Sequence, residues 1–132
     1  MRDALAVARA WLSTIPEVSA IAGARVWAGR YLADGYKPEQ GPALLIGLRG
    51  GQQDYSNQVL TPSLQLRFYG ATEADASRLQ RATHDAINDR RSPANHILFC
   101  RLEDGTYPTL LEEPGSKWPY YLAYYRLFIM EV

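Results

Sequence analysis

The chain has 132 residues, 47% of them apolar and 21% charged, a composition that fits one globular domain with its own core and excludes a disordered polar tract. Fourteen basic residues balance fourteen acidic ones, so no net field draws the protein to nucleic acid or to an anionic membrane. Cys100 is the one cysteine, which excludes an intramolecular disulfide and a multi-cysteine zinc site. It lies in the apolar run Ile97-Leu98-Phe99-Cys100 and reads as a buried, inert thiol.

In chain order, residues 3–14 read as a helix: Leu5, Ala8 and Leu12 mark one stripe, and Val7, Trp11 and Ile15 widen it. Asp3 and Arg9 interrupt this segment, and no small-residue cleavage site follows, so a secretory leader is not expected. Pro16 stops or redirects the helix, and residues 16–21 offer one further turn that ends at Gly23. Residues 25–31 read as a first strand, with Gly29 hinting at a bulge or bend. Residues 33–41 (ADGYKPEQG) are a loop by composition.

Pro42 to Leu48 holds four consecutive apolar residues, Ala43 to Ile46, which predicts a central strand covered on both faces. Gly50-Gly51 permits a sharp turn, and residues 52–62 are polar with isolated apolar positions, an extended strand or a projecting arm. Pro62 argues that this part is edge or loop. Leu64, Leu66 and Phe68 then alternate with Gln65, Arg67 and Tyr69, a clear strand that Gly70 interrupts. Thr72 is a credible N-cap for the helix that follows, with Glu73 and Asp75 complementing its dipole. Ala76, Leu79, Thr83, Ala86 and Ile87 fall on one face, and Arg90-Arg91-Ser92-Pro93 closes the helix.

Ile97–Leu102 reads as a short strand. Residues 103–119 form a long loop holding Pro108, Pro114, Pro119, Gly105 and Gly115, and Tyr120–Val132 is a long aromatic strand. The expected architecture is α+β: one domain over residues 1–132, an antiparallel or mixed β-sheet with two α-helices packed on one face, and projecting loops at about 50–61 and 103–119.

A search for chemistry returns little. His84 and His96 lack metal-like spacing, and there is no GxSxG elbow, P-loop or dinucleotide fingerprint. Gly50-Gly51 is followed by neither a Lys nor a helix start, so it is no phosphate cradle. The pairs Glu103-Asp104 and Glu112-Glu113 read as solvated loop charges. No catalytic, metal or cofactor residue is expected, and the chain reads as a binding protein rather than an enzyme.

Arginine and aromatic residues point to contacts between proteins. Twelve of the fourteen basic residues are Arg, the better partner for bidentate and stacked contacts; a GC-rich genome would enrich Arg as well. Trp118, Tyr120, Tyr121, Tyr124 and Tyr125 crowd the C-terminal end, with Tyr120 and Tyr124 on one face of the strand and Tyr121 and Tyr125 on the other. One face packs under helices, and the other is open or covered by another molecule. Stacking of single-stranded nucleic acid is the weaker alternative, given net neutrality and only Lys37 and Lys117 as lysines.

A helix leading to IPEVSAIAGARVWAGR, a Pro-led strand GPALLIGLRGG and then SLQLRFYGATEADASRLQRATHDAI resembles the small tail-terminator or tail-completion proteins of long-tailed phages. The early element is matched by Pro16, Val18, Ala20, Ile21, Gly23, Arg25 and Val26, and the resemblance covers most of residues 5–90 plus the final strand. It implies a ring, typically a hexamer, that caps the tail tube and joins it to the neck. The implied partners are the chain itself, the major tail tube protein and a neck connector or stopper, with DNA passing through the lumen without sequence-specific contacts. The implied location is the virion tail or neck, assembled in the host cytoplasm.

The family has no catalytic residues to carry over, and the long Pro-rich 103–119 segment departs from a minimal terminator. Candidate subunit or tube contacts are Arg49, Asp54, Tyr55, Arg67, Tyr69, Tyr107, Trp118, Tyr120 and Arg126. Two other readings stay open: a head–tail connector or stopper that gates DNA, with Arg49 or Arg67 facing it, and a small α+β enzyme with a Tyr- and Arg-lined pocket.

Overall fold

The computed structural model describes residues 2–53 and 58–131. Three helices, α1 (Ala4–Thr14), α2 (Pro16–Ala22) and α3 (Glu73–Ile87), lie on one face of a seven-stranded sheet. The strands are β1 (Val26–Ala28), β2 (Ala43–Gln53), β3 (Val59–Tyr69), β4 (Arg90–Ser92), β5 (Ile97–Leu102), β6 (Thr109–Glu112) and β7 (Pro119–Met130). The α+β class agrees with the sequence pattern, whereas the helix count rises from two to three. Ile15 explains the third helix. The proline after it holds it extended (ψ 118°), so α1 ends there, and Pro16 starts α2 at a first-turn position where its missing N–H costs nothing.

The sheet runs β1-β2-β3-β7-β5-β4, with β6 beside the first part of β7 and β5 beside the last part. Among the described residues only β1–β2 is parallel. The first strand is shorter than residues 25–31 because Gly29, at φ 127°, turns the chain away after Ala28. Of the two readings of residues 52–62, extended strand or projecting arm, the described residues are strand through Gln53 and again from Val59, with a register shift between Leu48 and Gly51; residues 54–57 of the expected 50–61 loop lie outside the described residues. Pro62 sits buried inside β3 rather than at an edge: it lies opposite Gly51, just past that shift, and the β3–β7 register skips Thr61 and Pro62.

Two further corrections fall in the second half. Arg90-Arg91 does not close α3, which ends at Ile87, but forms β4 against β5. The segment 103–119 is not structureless, because Thr109–Glu112 folds back on Pro119–Leu122 as β6.

Local chemistry places the other boundaries as the sequence suggests. Asp3 Oδ1 accepts from the N–H groups of Leu5 and Ala6, each at 3.1 Å, and Thr72 Oγ1 accepts from Asp75 N–H at 3.2 Å. Gly70 is required by packing: a Cβ there would meet Asp75 Cβ at 2.9 Å and Ala76 N at 2.5 Å. Strand β3 can therefore pass into α3 only through a residue without a side chain.

The core lies between the helices and one sheet face. Leu12, Val18, Leu44, Leu64, Leu66, Phe68, Leu79, Ile87, Tyr125 and Leu127 are all fully buried in it. A second, smaller cluster sits on the opposite face, where Tyr36 covers Ala43, Leu45, Tyr69 and Tyr120, flanked by Trp27 and Trp118. Among the described residues no helix is long and apolar enough to cross a membrane.

Candidate functional site

Strict alternation along β7 sends Ala123, Tyr125, Leu127 and Ile129 into the core, while Tyr120, Leu122, Tyr124 and Arg126 point to the face without helices. On that face β2 contributes Arg49, β3 contributes Ser63, Gln65, Arg67 and Tyr69, and β5 contributes Phe99 and Arg101. The result is a lattice of arginines and aromatic rings laid across four strands.

Glu103 is its centre. It follows β5 directly, and its N–H donates to Tyr124 O at 3.0 Å, which fixes the carboxylate beside β7. Arg49 Nη2 pairs with Glu103 Oε2, and Arg126 Nη2 lies 3.2 Å from Oε1, outside hydrogen-bond geometry although well within ion-pair range. Arg126 also donates from Nη1 to Thr61 O at 2.8 Å, satisfying a carbonyl at the point where the β3–β7 register is interrupted. The Arg49 guanidinium stacks over Tyr124, 3.8 Å from the ring centroid. Ser63, opposite Arg126 in the register, is buried.

Two flanking groups complete the lattice. Gln65 and Arg67 lie side by side on β3; with its amide oxygen turned toward Arg67, Gln65 accepts from Nε at 3.2 Å and Nη2 at 3.0 Å. Arg67 sits over the Tyr120 ring at 5.6 Å and pairs with no carboxylate among the described residues. Tyr69 Oη donates to Glu113 Oε2 at 3.0 Å; burial first, and then this bond, push the Tyr69 phenol well above its ordinary range. On the other flank Arg101 pairs with Asp89 at 3.1 Å and lies over Phe99.

The structure thus brings Arg49, Arg67, Tyr69, Trp118, Tyr120 and Arg126 to one side of the sheet. Tyr69 and Tyr120 are nevertheless buried, which corrects their reading as surface contacts: the segment carrying Tyr36 folds over them, with Tyr36 Oη donating to Gly41 O at 2.7 Å. Tyr107 lies elsewhere, in a groove of about 300 Å³ with Gln80, Arg81, His84 and Asp85 of α3. Asp54 and Tyr55 lie outside the described residues.

Glu103 and Glu113 correct the reading of these pairs as solvated loop charges. The signal available was indirect: Arg49 and Arg126 both stand on an otherwise half-apolar face and need a counter-charge, and Glu103 is the first carboxylate after the neighbouring strand. His84 is half-buried, with Nδ1 2.7 Å from Tyr125 Oη, and holds the helix against β7. Among the described residues no three His, Cys, Asp or Glu side chains gather as a metal cage.

No protein-family model and no curated protein matches the chain. Among solved structures, the fold is similar to a chain in the virion of a native gene transfer agent particle, with a TM-score of 0.60 over 98% of this chain and 99% of that one. The identity is 14%, so the likeness is one of fold.

Proposed function

We propose that this chain is a structural virion protein, a tail terminator whose copies close into a ring, typically of six, that caps the tail tube and joins it to the head–neck complex. The observation that carries the reading is the end-to-end similarity of fold to a chain in the virion of a gene transfer agent particle. The tail-terminator resemblance of residues 5–90 and the final strand supports it independently. The lattice on the helix-free face supports a binding role: arginines and aromatic rings are the residue types that concentrate at protein contacts.

The protein acts by binding rather than catalysis. Its partners are other copies of itself, the major tail tube protein and a neck connector or stopper, and its place is the virion tail or neck, assembled in the host cytoplasm. Ring closure requires head-to-tail contacts between unlike faces of identical subunits.

A second reading, a neck stopper that gates DNA, is favoured by Arg67, the lattice arginine without a carboxylate partner among the described residues. Arg49, Arg101 and Arg126 are all paired, so the face presents less positive charge than its arginine count suggests.

The test is to incubate the purified protein with its tail tube protein and image the tube ends, with and without DNA. Rings on tube ends without DNA are the expected result. Rings that form only with DNA favour the stopper, and a protein that neither forms rings nor binds tube ends contradicts both.

A further inference from the structure

Among the described residues the sheet leaves two strand edges open, and they lie at opposite ends of the strand order. Strand β1 pairs with β2 only from Leu44 to Ile46, and Gly29 N–H closes the ladder on Ile46 O at 2.9 Å. Among the described residues no strand pairs with that side of β2 beyond Ile46. At the other end, β6 pairs with β7 on one side only, and all four of its side chains are exposed.

The other two edges are guarded. Arg9 Nε donates to Val26 O on β1 at 3.3 Å, and β4 carries the exposed Arg90 and Arg91. Open edges are templates for pairing with another chain.

Exposed apolar side chains mark the same two places. Of the seven large apolar residues exposed among the described residues, Tyr31 (82%) and Leu48 (46%) flank the open stretch of β2, and Tyr107 (82%), Leu110 (36%) and Leu111 (37%) lie on or just before β6. The two places also differ in charge. A cleft of about 490 Å³ at the β2 edge is lined by Arg30 and Arg67 together with Tyr31, Leu48 and Gln65. The β6 side carries the exposed carboxylates Asp104 and Glu112.

We propose that β6 of one copy adds to the open edge of β2 in the next copy, so that the sheet continues head to tail from subunit to subunit. The inference rests on the ring reading above and names the surfaces that close it. Charge complementarity selects a second copy as the occupant: acidic β6 side against arginine-lined cleft, with apolar side chains from both sides between them. Because the edges are unlike, the contact is heterologous and propagates in one direction, as a ring requires.

Cysteine cross-linking in the full chain tests it, since Cys100 is fully buried and stays silent. Leu48→Cys and Leu110→Cys, whose side chains both project from the helix face of the sheet, are prepared separately, mixed and treated with a short bis-maleimide, which spans the roughly 5 Å between side chains on neighbouring strands. The expected product is the mixed 48–110 dimer, with little self-linked material. In parallel, Glu112→Arg weakens self-association about tenfold or more, and mixing it with Arg30→Glu restores assembly, because each variant's altered edge then meets a complementary one.

Dominant self-linked dimers overturn the proposal. So does the absence of the 48–110 link while rings still form, in which case the ring reading stands and only these surfaces are wrong. A chain that stays monomeric and ignores tube ends removes the ring reading as well.

Discussion

The two faces of the sheet are built from the same strands and behave as different materials. Along β7, Tyr125, Leu127 and Ile129 meet the helices in a dry core, while their neighbours Tyr124 and Arg126 stand among guanidiniums and carboxylates on the other side. The helix face is held mainly by burial of apolar area, which salt does not screen. The arginine face is held by ion pairs and stacking, which solvent and salt weaken. Stability therefore resides on one side of the sheet, and the capacity to meet another molecule on the other side and at its edges.

Three changes probe this division, from the largest expected effect to the smallest. Phe68→Ala removes a fully buried ring from the helix face and should cost about 3–5 kcal/mol in urea unfolding, independent of salt. Alkali comes second. Burial pushes the Cys100 thiol up from 9.0 to about 12, and the Tyr36 phenol, also pushed up chiefly by burial, from 10.0 to about 12. Above pH 9 the unfolded chain therefore gives up protons that the folded chain keeps. Their contribution is fully present below that pH and is lost as pH climbs toward 12, a loss on the order of 1 kcal/mol by about pH 10. The urea midpoint followed from pH 8 to 11 checks it, and Cys100→Ala should flatten the part that begins near pH 9.

The smallest effect is expected for Glu103→Gln. The arginine side chains paired with this carboxylate are 43% and 37% exposed and are rehydrated when it is neutralised, so the cost should be about 1 kcal/mol or less. That difference should shrink further in high salt. A cost equal to that of Phe68→Ala would break the contrast between the faces.

The helix face was legible in the sequence because its signals are local and periodic. Alternation at Leu64–Tyr69, the Thr72 cap and the spacing of Ala76, Leu79, Thr83 and Ile87 each report on one element, and each element lies where its pattern puts it. The other face was only half legible. Arg49, Arg67, Trp118 and Arg126 stood out by residue type, but their partners come from distant parts of the chain: Glu103 lies 54 residues from Arg49, and Glu113 lies 44 from Tyr69. Burial of Tyr69 and Tyr120 depends on where the Tyr36 segment folds, which no local pattern encodes.

The misreadings of Pro62 and of 103–119 have a common cause. Proline and glycine argue for loops, and here tertiary pairing overrides them. Pro62 needs no ladder donor where the register is interrupted, and β6, though bounded by Pro108 and Pro114, gains its pairing from β7.

Native mass spectrometry of the purified chain over a concentration series tests the central claim most directly. A protomer of a closed ring predicts one dominant assembled species at a fixed multiple of the protomer mass, six being the expected number, that grows with concentration at the expense of monomer. An unbroken ladder of open oligomers, or monomer alone at every concentration, would contradict it.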